Sequence, residues 1–185
     1  MTASNVLVFD DGPLSHFAEA GWLGLLKTWA GARTAWLPET VRRELGWGVD
    51  AYPHLRAVLE APWLVQRVLD SATETALFGV YSRRLLGPNN ENLGECGVLA
   101  LAEAHNAVAV IDDRKARIIA KERKVKVTTT VSVLCDLVND RALALDTAAE
   151  VADALLETEY RLPFKPGEFK MWVIREGLIT DPYGP

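Results

Sequence analysis

Four acidic residues, far apart in the sequence, have the residue type and the local setting of metal ligands. Asp10 and Asp113 each follow a short apolar run, whereas Glu44 and Glu95 lie in segments with helical patterns. Carboxylates that gather without cationic partners repel one another, and a divalent cation relieves that repulsion. Hard oxygen ligands suit Mg²⁺ or Mn²⁺. The chemistry expected of such a group is therefore that of a divalent-metal site.

The segments that must position these acids alternate between strand-like and helix-like patterns. Short, apolar, β-rich runs predict buried parallel strands. The expected strands span 6–9, 34–36, 63–68, 108–111 and 125–128. The expected helices span 13–26, 38–45, 51–60, 71–86, 95–105, 114–123, 131–138 and 146–160, with a short segment at 169–175. This alternation predicts an α/β fold with a parallel sheet flanked by helices, because strands separated by helices are joined by right-handed crossovers.

The predicted sheet brings the four acids to one edge. Asp10 and Asp113 follow the carboxyl ends of their strands, where open α/β sheets bind ligands. Glu95 begins a helix that starts at the same edge, and Glu44 lies in the second turn of another. All four are therefore expected to face one crevice. Asp11 is interpreted as a solvated loop acid or a supporting group.

Composition sets broad limits. A chain of 185 residues with 49% hydrophobic residues suits one domain with a sizeable core. Cys96 and Cys135 give no disulfide framework, and neither a signal peptide nor a membrane-length apolar run is apparent. The cytoplasm is the expected location. A net charge of −5 argues weakly against general nucleic-acid binding, although basic residues crowd the stretch 114–126.

The segments around the four acids resemble the ordered motifs of PIN domains. The matching blocks are 9–14, 37–45, 93–102 and 110–117, which read FDDGPL, LPETVRREL, LGECGVLALA and VIDDRKAR. The resemblance covers roughly 6–143 and is strongest to prokaryotic variants of the VapC toxin type. It implies a single PIN-like domain with a sheet of about five parallel strands. We expect this domain to span 1–145, with 146–185 as a C-terminal helical extension packed on it.

The same resemblance implies a function. It predicts an endoribonuclease that depends on Mg²⁺ or Mn²⁺, the toxin of a type II toxin–antitoxin pair, with RNA as substrate, a cognate antitoxin and a homodimeric state. Asp10, Glu44, Glu95 and Asp113 would be the catalytic acids. Asp10, Glu95 and Asp113 would bind metal directly. Asp112 is an alternative to Asp113, because the Asp-Asp pair leaves the register open by one residue. The crowding of basic residues beside Asp113 makes Arg114, Lys115 and Arg117 candidate RNA contacts, although such a stretch is more often a solvated helix face.

The motifs also depart from the family pattern. Position 12, often Ser or Thr in the family, is Gly12, which removes a hydroxyl from the site, and the third acid is Glu95 where Asp is common. Two alternatives therefore stay open. One is a PIN scaffold of weak activity that binds a partner. The other is a phosphorylatable receiver-like signalling domain built on Asp10, Asp11 and Asp70.

Overall fold

Five short strands form one parallel sheet at the centre of the molecule. The structure, a computed structural model, describes residues 5–179. The strands are β1 (Val6–Phe9), β2 (Thr34–Pro38), β3 (Leu64–Arg67), β4 (Val108–Val110) and β5 (Lys126–Thr128). Their order is β3-β2-β1-β4-β5, and every neighbouring pair is parallel. The predicted fold class is thereby confirmed: a five-stranded parallel sheet flanked by helices in a single domain.

Helices fill the connections between the strands and continue after β5. They are α1 (Asp11–Glu19), α2 (Leu23–Ala30), α3 (Glu39–Gly48), α4 (Leu55–Leu59), α5 (Ala72–Leu85), α6 (Leu93–Ala104), α7 (Arg114–Glu122), α8 (Thr130–Asn139), α9 (Leu145–Glu157) and α10 (Phe169–Arg175). A short 3-10 turn spans Pro88–Asn90. The helix expected over 13–26 is two helices, because Gly21 has a φ of +78° and ends α1. The helix expected over 51–60 is only the short α4.

The centre of the core lies where β1 meets α6. Leu7, Val8 and Phe9 are completely buried, as expected of a central strand covered on both faces. On α6 the residues from Cys96 to Ala102 are all buried, so this helix is the one most enclosed by the fold. The rigid pair of β1 and α6 therefore carries Asp10 and Glu95 into the same region.

The C-terminal helices pack on the same core. Phe169 and Val173 of α10 and Leu155 of α9 are completely buried. Helix α9 begins after Ala144, so Asp146 lies in its first turn and is not its cap. The helix ends at Glu157, three residues before the expected end at Tyr160. Among residues 5–179, no helix is both long and apolar enough to cross a membrane.

Candidate active site

Asp10 is the most buried acid at the carboxyl edge of the sheet. Its backbone N–H donates to the carbonyl of Val110 at 3.1 Å, which ties the end of β1 to the end of β4. Only 4% of the residue is exposed, and its Oδ1 has no hydrogen-bond partner among the described residues. Burial raises the pKa of Asp10 well above its usual value, and repulsion from Asp11, Glu95 and Glu44 adds to the effect.

Glu44 reaches the same crevice because α3 and α6 pack closely. Its Oε1 accepts a hydrogen bond of 3.1 Å from the backbone N–H of Gly94. A Cβ at position 94 would collide with Glu44 Oε2, and a Cβ at Gly97 would collide with Thr40. The two glycines, one helical turn apart, therefore let α3 approach α6. Burial raises the pKa of Glu44 to about 7, with Asp11 and Glu95 contributing repulsion.

Glu95 lies in the first turn of α6, where the positive end of the helix favours a negative charge. Burial nevertheless raises its pKa to about 7, and repulsion from Asp11 and Asp113 adds to that rise. Asp11 thus acts on both glutamates. It is partly buried, and burial raises its own pKa as well. Sequence reasoning gave Asp11 too little weight, although its place directly after Asp10 was the available signal.

The two candidates for the fourth acid face different surroundings. Asp112 accepts three hydrogen bonds, from the backbone N–H of Thr130 at 3.1 Å, the Thr130 hydroxyl at 2.7 Å and the Tyr160 hydroxyl at 2.5 Å. Asp113 is exposed and caps α7 by accepting from the N–H of Ala116 at 2.7 Å. Asp113 is also the one that raises the pKa of Glu95. The geometry therefore favours Asp113 as the acid that joins the others.

Tyr160 forms a wall of the site that sequence reasoning missed. Its ring stacks on His16 with centroids 4.1 Å apart, and its hydroxyl lies 3.5 Å from where a Cβ on Gly12 would stand. Burial, Asp112 and Asp10 together hold the pKa of Tyr160 well above its usual value, so the hydroxyl stays protonated. A phenol hydroxyl thus stands beside position 12, where the family often has Ser or Thr. No spacing in the sequence indicates this contact.

The donor set fits a hard divalent cation, although the acids are not drawn together as a finished cluster. Within residues 5–179, no three His, Cys, Asp or Glu side chains converge closely enough to form a metal cluster. The unpartnered Oδ1 of buried Asp10 is the feature that fits a cation best, because a buried charged oxygen normally has a partner. Asp10, Glu95 and Asp113 would hold the ion, and Glu44 would hold it or orient a water molecule.

The basic candidates lie beside this crevice. Arg114, Lys115 and Arg117 are all exposed in the first turns of α7, directly after Asp113.

A family model described as PIN domain matches residues 6–166. The chain belongs to the PIN-domain family. The resemblance inferred from the motifs is therefore confirmed. PIN domains have a nuclease-type fold and generally use divalent metals. No curated protein sequence matches the chain.

The PIN fold also separates the acids of the receiver-like alternative. That alternative requires Asp70 close to Asp10 and Asp11. Asp70 follows the edge strand β3, two strands away from β1, and is paired with Arg67 at 2.9 Å. It does not contribute to the raised pKa of Asp10.

Proposed function

We propose that this PIN domain is a metal-dependent endoribonuclease. The observation that carries the proposal is the group of acids around Asp10. Asp10 itself is buried and has an unpartnered oxygen, and burial and mutual repulsion raise the pKa values of Asp10, Glu44 and Glu95. In the described part of the chain, no Lys or Arg forms an ion pair with Asp10, Asp11, Glu44 or Glu95. Acids with raised pKa values and no cationic partner are typical of functional sites, and here they suit a bound cation.

Each residue has a distinct part in this mechanism. Asp10, Glu95 and Asp113 would hold the cation, and Glu44 would hold it or orient the attacking water from its anchor on the Gly94 N–H. When bound, the cation lowers the pKa of a water molecule and offsets the charge of the phosphate. Attack on phosphorus displaces the 3′-oxygen and leaves a 5′-phosphate, the polarity that the family resemblance implies. Tyr160 and Thr130 hold the loop before α7 through Asp112.

RNA as substrate, a toxin role and a cytoplasmic location are parts of the same proposal. The substrate and the toxin role rest on the similarity of the four motifs to VapC-type toxins, and the location rests on two cysteines that give no disulfide framework. This role implies an antitoxin, which would silence the site by inserting an Arg or Lys among the acids. Expression should arrest growth, and Asp10→Asn should abolish the arrest.

Two exposed aromatic residues on α3 and the loop after it support the proposal that this region binds a partner or a second copy of the chain. Trp47 is 64% exposed and Tyr52 is 57% exposed, whereas Trp22 and Trp36 are partly buried and Trp29 is buried. Exposed aromatic residues are enriched at protein interfaces. We propose that the protein is a homodimer, and sedimentation velocity of wild type and Trp47→Ala tests whether this residue contributes.

The test of the nuclease proposal combines cleavage with metal binding. Wild-type protein should cleave a mixed single-stranded RNA with Mg²⁺ or Mn²⁺ and lose the activity in chelator. Either metal should raise Tm by binding the folded state, and Asp10→Asn should remove most of that shift. Equal Tm shifts in the two proteins would contradict the metal site. No cleavage and no Tm shift with wild type would favour the scaffold alternative.

A further inference from the structure

Two neighbouring cavities open beside the acidic crevice. The inner cavity, of about 480 Å³, is bordered by Asp113 and Tyr160. The outer cavity, of about 500 Å³, is bordered by Trp172. They share three lining residues, Asp112, Arg117 and Arg161, so they lie side by side. Each is large enough for a small organic ligand.

The arginines of these cavities are without protein partners. The side chains of Arg114, Arg117 and Arg161 form neither an ion pair nor a hydrogen bond with any residue between 5 and 179. By contrast, Arg67 and Arg123 elsewhere are paired with Glu74 and Glu103. A guanidinium that borders a cavity without a partner is suited to bind a phosphate through its forked donors.

Three acids, Asp112, Asp113 and Glu159, line the inner cavity beside these arginines. Asp112 accepts hydrogen bonds from Thr130 and Tyr160, and among the described residues none of the three acids pairs with an arginine of the cavity. The guanidinium groups of Arg117 and Arg161 therefore remain available. Arg161 comes from the segment after α9, so the C-terminal part of the chain supplies one side of this phosphate site.

The outer cavity has the lining that a nucleobase needs. Trp172 and Pro163 give it apolar walls, and the hydroxyls of Thr129 and Ser132 lie at its edge, 3.0 Å from each other. Aromatic rings stack with any base, and hydroxyl groups can bond its edges. An inner cavity with unpaired arginines and an outer cavity with an aromatic wall offer the two kinds of contact that one nucleotide needs, for its phosphate and for its base.

We propose that the two cavities bind one nucleotide of a single-stranded nucleic acid, next to the phosphate that is cleaved. Arg117 and Arg161 hold its backbone phosphate, and the cavity lined by Trp172 holds its base. This inference rests on the proposed nuclease function, for which it supplies the substrate track. It adds Arg161 and Trp172, which lie outside the four motifs, to the substrate-binding residues.

Binding without cleavage provides the test. A fluorescein-labelled single-stranded RNA oligonucleotide is titrated with full-length protein in chelator, and Kd is measured by anisotropy at several salt concentrations. Arg117→Ala and Arg161→Ala should each weaken binding about fivefold or more, and should reduce the slope of log K against log salt by about 1. Arg56→Ala, an exposed arginine that borders neither cavity, should bind as wild type does.

Trp172 gives an independent arm. Trp172→Leu should weaken binding about fivefold with an unchanged salt slope, because stacking is not electrostatic, and Trp172→Phe should restore much of the loss. Circular dichroism establishes that each variant is folded. Equal Kd values for wild type, Arg117→Ala and Arg161→Ala would overturn the nucleotide site, while chelator-sensitive cleavage by wild type would still support the nuclease. Binding that depends on the two arginines, without any cleavage, would support the nucleotide site and contradict the nuclease.

Discussion

Two buried carboxylates in this protein have opposite surroundings. Glu74, only 1% exposed, accepts hydrogen bonds from the backbone N–H groups of Asp70 and Ser71 at 2.8 and 2.9 Å. It also contacts His105 at 2.6 Å and Arg67 at 3.2 Å. Although burial acts to raise its pKa, the bonds from His105, Ser71 and Asp70 lower it to about 2. Asp10 is almost as buried, yet its neighbours are acids and one of its oxygens is unpartnered.

The difference shows that this fold is able to satisfy a buried acid where stability requires it. At Glu74 the capping box of α5 and a cationic side chain supply the donors. At Asp10 the sequence supplies more carboxylates instead. An arrangement that costs stability is retained where function requires it.

The largest effect should come from removing the charge of the acids in the crevice. Asp10→Asn, Glu95→Gln and Asp113→Asn should each reduce the rate of RNA cleavage about 1000-fold or more, because each removes a proposed metal ligand. Asp112→Asn should cost only about 10- to 100-fold, since Asp112 acts through its bonds to Thr130 and Tyr160. Single-turnover rates on one RNA measure this. An inactive Asp112→Asn beside an active Asp113→Asn would reverse the assignment.

Removing the carboxylates should have opposite effects on stability in the two regions. Glu74→Ala should lower the free energy of unfolding by about 3 kcal/mol, because it leaves His105 and the N–H groups of Asp70 and Ser71 without their acceptor and removes one of the two carboxylates paired with Arg67. Without divalent metal, Glu44→Gln should leave that free energy unchanged or raise it, because a source of repulsion is removed. Urea denaturation in chelator measures both. A similar loss in both variants would mean that Glu44 is as structural as Glu74.

A matched pair of glycine substitutions tests how Glu44 is placed. Gly94→Ala puts a Cβ against Glu44 Oε2, so we expect a stability loss of about 1–2 kcal/mol and cleavage about 10- to 100-fold slower. Gly46→Ala, in α3, meets nothing within 4 Å and should stabilise the protein by about 0.5–1 kcal/mol with unchanged cleavage. Calorimetry and the cleavage assay are the measurements. Full activity in Gly94→Ala would show that Glu44 is dispensable.

The smallest effect concerns pH. The pKa values of Glu44 and Glu95 are raised from 4.5 to about 7 in the folded protein, so folding is more favourable when these two carboxyl groups are protonated. Their contribution to stability is complete below about pH 4.5 and is lost as pH rises through 7. In chelator, the free energy of unfolding should therefore fall by about 1 kcal/mol per carboxylate between pH 5 and 8, after allowance for solvent screening. Thermal scans across this range measure it, and the decline should be smaller in Glu44→Gln.

The pH dependence of Glu74 has the opposite sign. Its pKa is depressed to about 2, so its contribution is complete above about pH 4.5 and is lost as pH falls through 2. Stability that rose between pH 5 and 8 in chelator would contradict the proposed repulsion among the acids.

The sequence predicted the parallel sheet, because its strands depend on local patterns of apolar residues. Val6–Phe9 is a strand within the expected bounds, and α10 spans the expected residues 169–175. Predictions were weaker where a single backbone angle decides the outcome, as at Gly21, which splits one expected helix in two. The positions of Asp10 and Glu95 at the carboxyl edge follow from rules that need no knowledge of distant contacts, whereas the strand order was not predicted.

The rest of the site depends on tertiary contacts that no local pattern encodes. Tyr160 meets Asp112 across 48 residues, and His16 meets Thr158 across 142. Thr130 and Tyr160 both donate to Asp112, whereas Asp113 accepts from the N–H of Ala116, and this difference favours Asp113 as the fourth acid. The motif 110–117 contains Asp112 and Asp113 in succession, and its sequence does not indicate which of them accepts the hydrogen bonds from Thr130 and Tyr160.

The strand order also has a consequence for synthesis on the ribosome. Val6 of β1 pairs with Thr34, 28 residues later, but Leu7 pairs on the other side with Val108, 101 residues later. The first half of the chain can therefore form β1 to β3, yet it leaves one edge of the central strand open until β4 emerges. Asp10, whose N–H binds Val110, is fixed only then. A nascent chain truncated before residue 108 should be prone to aggregation and unable to assemble the acidic crevice.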